Sequence, residues 1–522
     1  MMRFSVCLLA LALGLSGNAT GQKVPGVVID HQPPASRAYI GSPSIVIAPN
    51  GDYIASHDLF GPGSTSTVSA VSKIFLSHDR GVSWTKVAEV NDQFWSNLFV
   101  LKNHIYLMGT SYEYGRIVIR GSDDNGKTWS DAHFLTEDTG YHTAPVPMVI
   151  HDGKIYRAFE FHPKGPWGSF QAFLMWASID SDLTKPANWT MAERLSFPVG
   201  DMGDTWLEGN AVVGRDGSML DILRVNNASR AAVLKLADHS MKLDRFVNFP
   251  GGATKFSIRF DPASKLYWTL SNPALPGEAM AVSSPASVRN TLVLMSSPDL
   301  THWTPREIVL HHPESRVHGF QYVDWQFDGN DIIVASRTAF DDEQGTAHNF
   351  HDANYLTFHR VVSFRKKGTV KLMGEAFSSA EVFTDQQMQN WTKATTTDAA
   401  KAESGVYPQP LGGYGNHSMG ITTRVKTGES EQHRDWVDIF YAVAGEATLV
   451  SGGHLENARM TSPGEQKGSG VAGGVSRVLK AGAVAHIDPE IAHQLIVPEG
   501  GSFTYFVVKV KRPLLPARNN DK

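Results

Sequence analysis

Short runs in which apolar and polar residues alternate, separated by turns rich in Gly, Asp and Asn, recur along most of this chain. A period of two predicts β-strands, and the turn residues predict tight hairpins between them. The strands fall into triplets: 44–47, 53–56 and 73–76; 98–101, 105–109 and 116–120; 146–150, 155–161 and 172–177; 210–213, 219–225 and 231–236; 256–260, 266–271 and 291–295; 322–327, 332–336 and 355–360. Most first-to-second connections carry turn residues, as in Asn50-Gly51-Asp52, Asp152-Gly153, Asp216-Gly217 and Asp328-Gly329-Asn330. Such a repeat predicts an all-β fold with a six-bladed propeller, a seventh blade being left open.

Two stretches punctuate the repeat: Ser77-His78-Asp79-Arg80-Gly81-Val82-Ser83-Trp84 and Ser122-Asp123-Asp124-Asn125-Gly126-Lys127-Thr128-Trp129. In each, the Asp can accept backbone N–H groups within the turn, the Gly supplies a positive φ, and the Trp folds back as an apolar plug. Weaker copies follow the third and fifth triplets, at Ser178 to Trp189 and Ser296 to Trp303. The pattern resembles the Asp-box of the sialidase-like superfamily, whose role is to hold a turn together. His78, in a variable position of such a box, and His311-His312, in a connection, read as solvated surface.

Outside the repeat, the pattern divides the chain. Residues 1–21 combine Arg3, an apolar run from Phe4 to Leu15 and small residues thereafter, as a secretory leader does. The run is too short to span a bilayer. The single cysteine, Cys7, lies within it, so the mature chain would have no disulfide and no Cys-ligated metal. The expected location is periplasmic or secreted, in a bacterium, with no membrane insertion once the leader is removed. The propeller is expected over 22–378, a polar Thr/Ala-rich linker with helical stretches over 379–404, and a second β domain over 405–522. With a net charge of −5 and no basic run, nothing suggests nucleic acid or an anionic membrane as a partner.

Topology predicts where chemistry sits. In a blade the innermost strand starts, and the second strand ends, on one face. Residues just before first strands are Gly41, Trp95, His142, Glu208, Lys255 and His318; those closing second strands include His57-Asp58, Thr110, Glu160 with His162, Arg224, Asn272 and Arg337. Aromatic and charged groups facing one opening suit a carbohydrate, so an oligo- or polysaccharide is the expected partner. Each has a plainer alternative: His57 can bond loop backbone, Arg224 and Arg337 can pair with neighbouring carboxylates, and Glu208 can cap a turn. The long polar loop 341–355 adds His348, His351 and Tyr355 as candidate binding or catalytic groups. Its Asp341-Asp342-Glu343 offers oxygens to Ca²⁺, although the spacing fits no defined loop.

Sialidases open with an Arg-Ile-Pro stretch whose arginine clamps the sialic carboxylate. Here Tyr39-Ile40-Gly41-Ser42-Pro43 places Gly41 at that position, which argues against a sialidase. The strings Gly51 to Asp58, Gly140 to Pro147, Trp206 to Asn210 and His351 to Arg360 resemble the L-rhamnose-α-1,4-D-glucuronate lyase and α-L-rhamnosidase propellers, described as seven-bladed. That resemblance implies removal of rhamnose caps from arabinogalactan glucuronate. β-Elimination needs a cation for the carboxylate, a base for the C5 proton and an acid for the departing oxygen. Arg337, Arg224 or Lys255 suit the first role; His142, His57, His318 and Tyr355 suit the others, with Trp95, Glu208, His348 and His351 as contacts. Hydrolysis with Glu160 and Glu208 as the carboxylate pair is the alternative. A non-catalytic glycan-binding protein is the third reading.

The second domain carries Glu431-Gln432-His433 with Asp438 and Gly445, and later Asp488-Pro489 with His493. These resemble the two cupin motifs, with Glu431 where the first His would stand. The resemblance implies a cupin-like barrel in which His433, Asp438 and His493 are candidate ligands of a divalent metal.

Overall fold

The computed structural model describes residues 23–163, 168–198, 205–275, 284–370, 372, 383–413, 417–462 and 464–511; the leader lies outside them. Six antiparallel sheets follow one another as blades of a β-propeller. Their inner strands are Tyr39–Ile40 with Ser44–Ile47, Phe94–Leu101, Tyr141–His142 with Val149–His151, Trp206–Val213, Ser257–Asp261 and Gly319–Asp328. Inner strands of blades 1 and 2, and of blades 3 through 6, pack on one another in turn, and the sixth returns to the first. No seventh sheet is present among the described propeller residues.

The ring is closed by a strand that the alternation did not reveal. Val27–His31 adds to the outer edge of blade 6, antiparallel to Tyr355–Val361. Closure leaves no open seam between first and last blades. Blades hold together through large side chains between sheets. Trp325 is fully buried in the cluster joining blades 5 and 6, and its Nε1 donates to the Ser257 carbonyl at 3.3 Å. Truncating a residue so placed to Ala costs about 3–5 kcal/mol.

The Asp-boxes join third to fourth strands in blades 1 and 2. Asp124 accepts from the N–H of Thr128 at 2.8 Å and its hydroxyl at 2.6 Å, while Gly126, at φ 82°, donates to Ser122 Oγ. Asp79 holds the Ser83 N–H at 2.9 Å in the same way. In blade 5, Asp299 accepts from the N–H groups of Thr301 and His302, and Leu300 takes the positive φ in place of glycine.

The C-terminal unit is a curled ten-stranded sheet, which fits a cupin barrel loosely. Its spine is Trp436–Ser451, long enough to pair with Phe503–Lys511 along one half and with Val475–Lys480 along the other. The helix Asp385–Lys401 lies within the stretch expected as linker. A capping box of Thr384 and Gln387 starts it. It packs on Val406–Gly413 and His417–Arg424, burying Thr395 and Ala399. The Thr/Ala-rich composition is thus one buried helix face as well as a connection.

Candidate active site

A cavity of about 730 Å³ opens at one end of the propeller axis. Gly41, Trp95, His142 and Glu208, at the starts of inner strands, line it together with Asp58, Arg224 and Arg337, at the ends of second strands. Three of the inner strands achieve this with the same device. Pairing slips by a bulge between Phe94 and Asn97, Leu207 and Asn210, and Gln321 and Asp324. Within each bulge one non-glycine residue takes a positive φ: Trp95 at 46°, Glu208 at 59° and Tyr322 at 53°. A bulge turns a side chain out of the strand's alternation, and all three line the cavity. Blades 2, 4 and 6 therefore each contribute one re-aimed side chain.

Two of those residues meet. The Tyr322 hydroxyl donates to Glu208 Oε1 at 2.8 Å, and Arg224 Nη1 stands 3.0 Å from Glu208 Oε2. Burial pushes the Glu208 carboxyl up, but Arg224, His142 and the Tyr322 hydroxyl outweigh it and hold the group below the ordinary glutamate value. Arg337 lies over the Tyr322 ring at 4.8 Å and Arg289 at 5.4 Å. Three guanidinium groups thus surround one phenol and one carboxylate. The buried Arg224 Nε has no hydrogen-bond partner.

Asp58 belongs to the same cavity. Its carboxylate accepts the N–H groups of Ser42, at 2.6 Å, and Trp95. Burial dominates and raises it to about 6, against the opposing effect of those N–H groups. The strand start beside it explains Gly41: a Cβ there would lie 1.6 Å from Asp58 Oδ1. An arginine at that position is sterically incompatible with this aspartate. Next to it, Trp95, Tyr114 and His142 form an aromatic wall, with Trp95 and His142 rings 4.5 Å apart. His142 Nδ1 bonds Glu160 at 2.8 Å, which leaves Nε2 as the ring nitrogen available to the cavity.

Of the propeller residues singled out from sequence, Trp95, His142, Glu208, Arg224, Arg337 and His351 line the cavity. His57, His318, Lys255, His348 and Tyr355 do not. His57 spends both ring nitrogens at 2.8 Å, on Asp30 Oδ2 and the Asp58 carbonyl. His318 precedes the bulge of blade 6 and is turned toward Glu314 and Asp341, stacked 3.5 Å from His312, which is therefore not simply surface. The inner strand of blade 5 has no bulge, and Lys255 donates inward to the Val323 carbonyl at 2.6 Å. Burial lowers this lysine to about 8. Tyr355 stacks on His31 at 4.4 Å and His348 on Tyr39 at 5.4 Å. Glu160 is committed to His142 and the Gly209 N–H, so it does not pair with Glu208 across the cavity. In the loop 341–355, Asp341 faces His318 and Asp342 bonds His31 at 3.0 Å.

The strand pattern does not point to Tyr322, Arg289 or Tyr114. Tyr322 is the first residue of the strand that the alternation predicts, and its re-aimed side chain is hidden there. Arg289 lies two residues before the third strand of blade 5, Thr291–Ser297. That slot opens on the same face as second-strand ends, so the topological rule extended by one element would have found it.

In the C-terminal unit, ligand atoms of Glu431, His433 and His493 lie within 4.8 Å of one another. Asp438 Oδ2 is 3.4 Å from His433 Nε2 and 3.5 Å from His493 Nε2. The sequence-predicted trio of His433, Asp438 and His493 does converge, and Glu431 joins it.

No family model and no curated protein matches this chain. Among solved structures it is similar to a protein of unknown function from Dyadobacter fermentans, at 14% identity over 65% of this chain and 99% of that one, TM-score 0.45. It is similar to the Hadza microbial sialidase Hz136, at 15% identity over 65% and 68% of the two chains, TM-score 0.46. It is also similar to Trypanosoma rangeli sialidase, at 12% identity over 92% of each chain, TM-score 0.44.

Proposed function

We propose that the propeller is an exo-acting glycoside hydrolase for anionic glycans, with Tyr322 as nucleophile. The observation that carries this reading is the Tyr322–Glu208 hydrogen bond of 2.8 Å inside a cavity rimmed by Arg224, Arg289 and Arg337. A tyrosine paired with a carboxylate is one of the known departures from the two-carboxylate scheme. Glu208 takes the phenolic proton as Tyr322 oxygen attacks the anomeric carbon. Asp58, raised to about 6, gives its proton to the departing glycosidic oxygen and later takes one from the water that releases the sugar. Guanidinium forks bind the substrate carboxylate, and Trp95 and Tyr114 offer faces for the ring. The leader-like segment 1–21 supports an activity outside the cytoplasm.

A second reading, rhamnose removal from glucuronate by β-elimination, is favoured by His142. Its Nε2 is a base held in place by Glu160, beside cations that could neutralise the uronate carboxylate. The experiment is a panel of acidic-sugar glycosides and gum arabic oligosaccharides, with released sugar and absorbance at about 235 nm followed together, since only elimination leaves a conjugated uronate. Sugar release without absorbance, abolished in Tyr322→Phe, supports the hydrolase. Rising absorbance with rhamnose release replaces it by the lyase. Binding without either product makes the propeller a glycan-binding module.

A further inference from the structure

The cupin-like residues of the C-terminal unit offer two nitrogens and two carboxylates, a donor set that suits a divalent ion by chemistry. A fifth group stands among them. Lys509 Nζ lies 2.9 Å from His433 Nε2, 2.9 Å from Asp438 Oδ1 and 3.1 Å from Asp438 Oδ2. Its position is set by the sheet. Lys509 and Asp438 are directly opposite one another where Phe503–Lys511 pairs with Trp436–Ser451. Cross-strand partners on one face are held within contact distance, so the lysine is delivered to the cluster by register.

His433 is arranged to receive it. Its Nδ1 bonds the carboxylate of Glu465, directly opposite on the neighbouring strand, and this directs Nε2 at the lysine. A metal bound by His433 would sit about 2.1 Å from the same Nε2. It would then overlap the ammonium, and the two positive charges would repel at close range. In this arrangement the ion and the lysine exclude each other.

We propose that the Lys509 ammonium takes the place of the divalent ion, so that the cluster of Glu431, His433, Asp438 and His493 is held together by a lysine and not by a metal. This inference is independent of the glycosidase reading. The test uses untagged full-length protein equilibrated with Zn²⁺, Ni²⁺ or Mn²⁺, with retained metal counted by elemental analysis and melting followed in parallel. Wild type is expected to retain none at the cluster and to show no metal-dependent melting shift. Lys509→Met, with Lys509→Gln as a second variant should the first not fold, is expected to bind Zn²⁺ about 100-fold tighter than wild type, with a gain that His433→Ala removes. Stoichiometric metal in wild type that His433→Ala releases overturns the proposal. So does a folded Lys509 variant that remains metal-free.

Discussion

At one rim of the propeller, turns between third and fourth strands are pinned by Asp79, Asp124 and Asp299, each accepting backbone N–H groups. At the other rim, Trp95, Glu208 and Tyr322 break the regular pairing of their strands and point into a cavity. The first rim carries the recognisable motif, and each of its aspartates binds the backbone of its own turn. The second has no motif, yet it holds the bulged strands, the buried carboxylates and the arginines. Local hydrogen bonding produces a repeating signature because each turn solves the same problem. A reactive centre is assembled once, from different blades, so its residues share no spacing.

Changes at the cavity rim should therefore strike activity, and changes at the Asp-box rim should strike stability. The largest effect is expected for Tyr322→Phe, with a loss of about 10³-fold or more in kcat/KM and an unchanged melting temperature, and Glu208→Gln should follow closely. A Tyr322→Phe enzyme that retains wild-type turnover would dissolve the distinction. Asp58 works as a proton donor only while protonated, so activity should decline as pH rises through about 6. Asp58→Asn should remove both the activity and that limb of the profile.

A smaller effect tests the interior between the rims. Asp221 is fully buried, and neither carboxylate oxygen has a hydrogen-bond partner. Burial and the nearby Glu160 raise it well above the ordinary aspartate value. The folded state then holds a proton that the unfolded chain releases, so stability falls as pH rises above the usual aspartate range. Asp221→Asn should stabilise the protein by about 1–3 kcal/mol at neutral pH and flatten that slope, read by denaturant melts at several pH values. The smallest change is expected at the motif itself. Asp124→Ala should lower Tm by a few degrees and leave kcat/KM untouched; a loss of activity there would give the Asp-box a role beyond its turn.

The blades were legible because strand alternation and Gly/Asp turns are local. So was the cavity's address, since the up-and-down order of a blade fixes which strand ends share a face. What alternation cannot register is a bulge, which moves a side chain by one position and reverses its face. Tyr322 was hidden for this reason, and His318, four residues earlier, was taken in its place. His57 failed differently: it sits at the right strand end, but its partner Asp30 lies on a closing strand too short and too distant in sequence to be seen. The C-terminal trio was legible only through its resemblance to the cupin motifs. Lys509 was not, because only the register of two distant strands reveals that it faces Asp438.

The closing strand has a consequence for the order of assembly. Val27–His31 is among the earliest parts of the ring to be synthesised, while its partner Tyr355–Val361 belongs to the last blade. The circle cannot be completed until that entire span has emerged, and contacts so far apart in sequence form slowly. Asp30 on this strand is also the residue that grips His57, whose other nitrogen binds the backbone of Asp58. The aspartate assigned as proton donor thus receives its final support only when the first strand meets the last. A partly made ring would hold its strands but not a finished site, and competence would arrive in a single step, at the moment of closure.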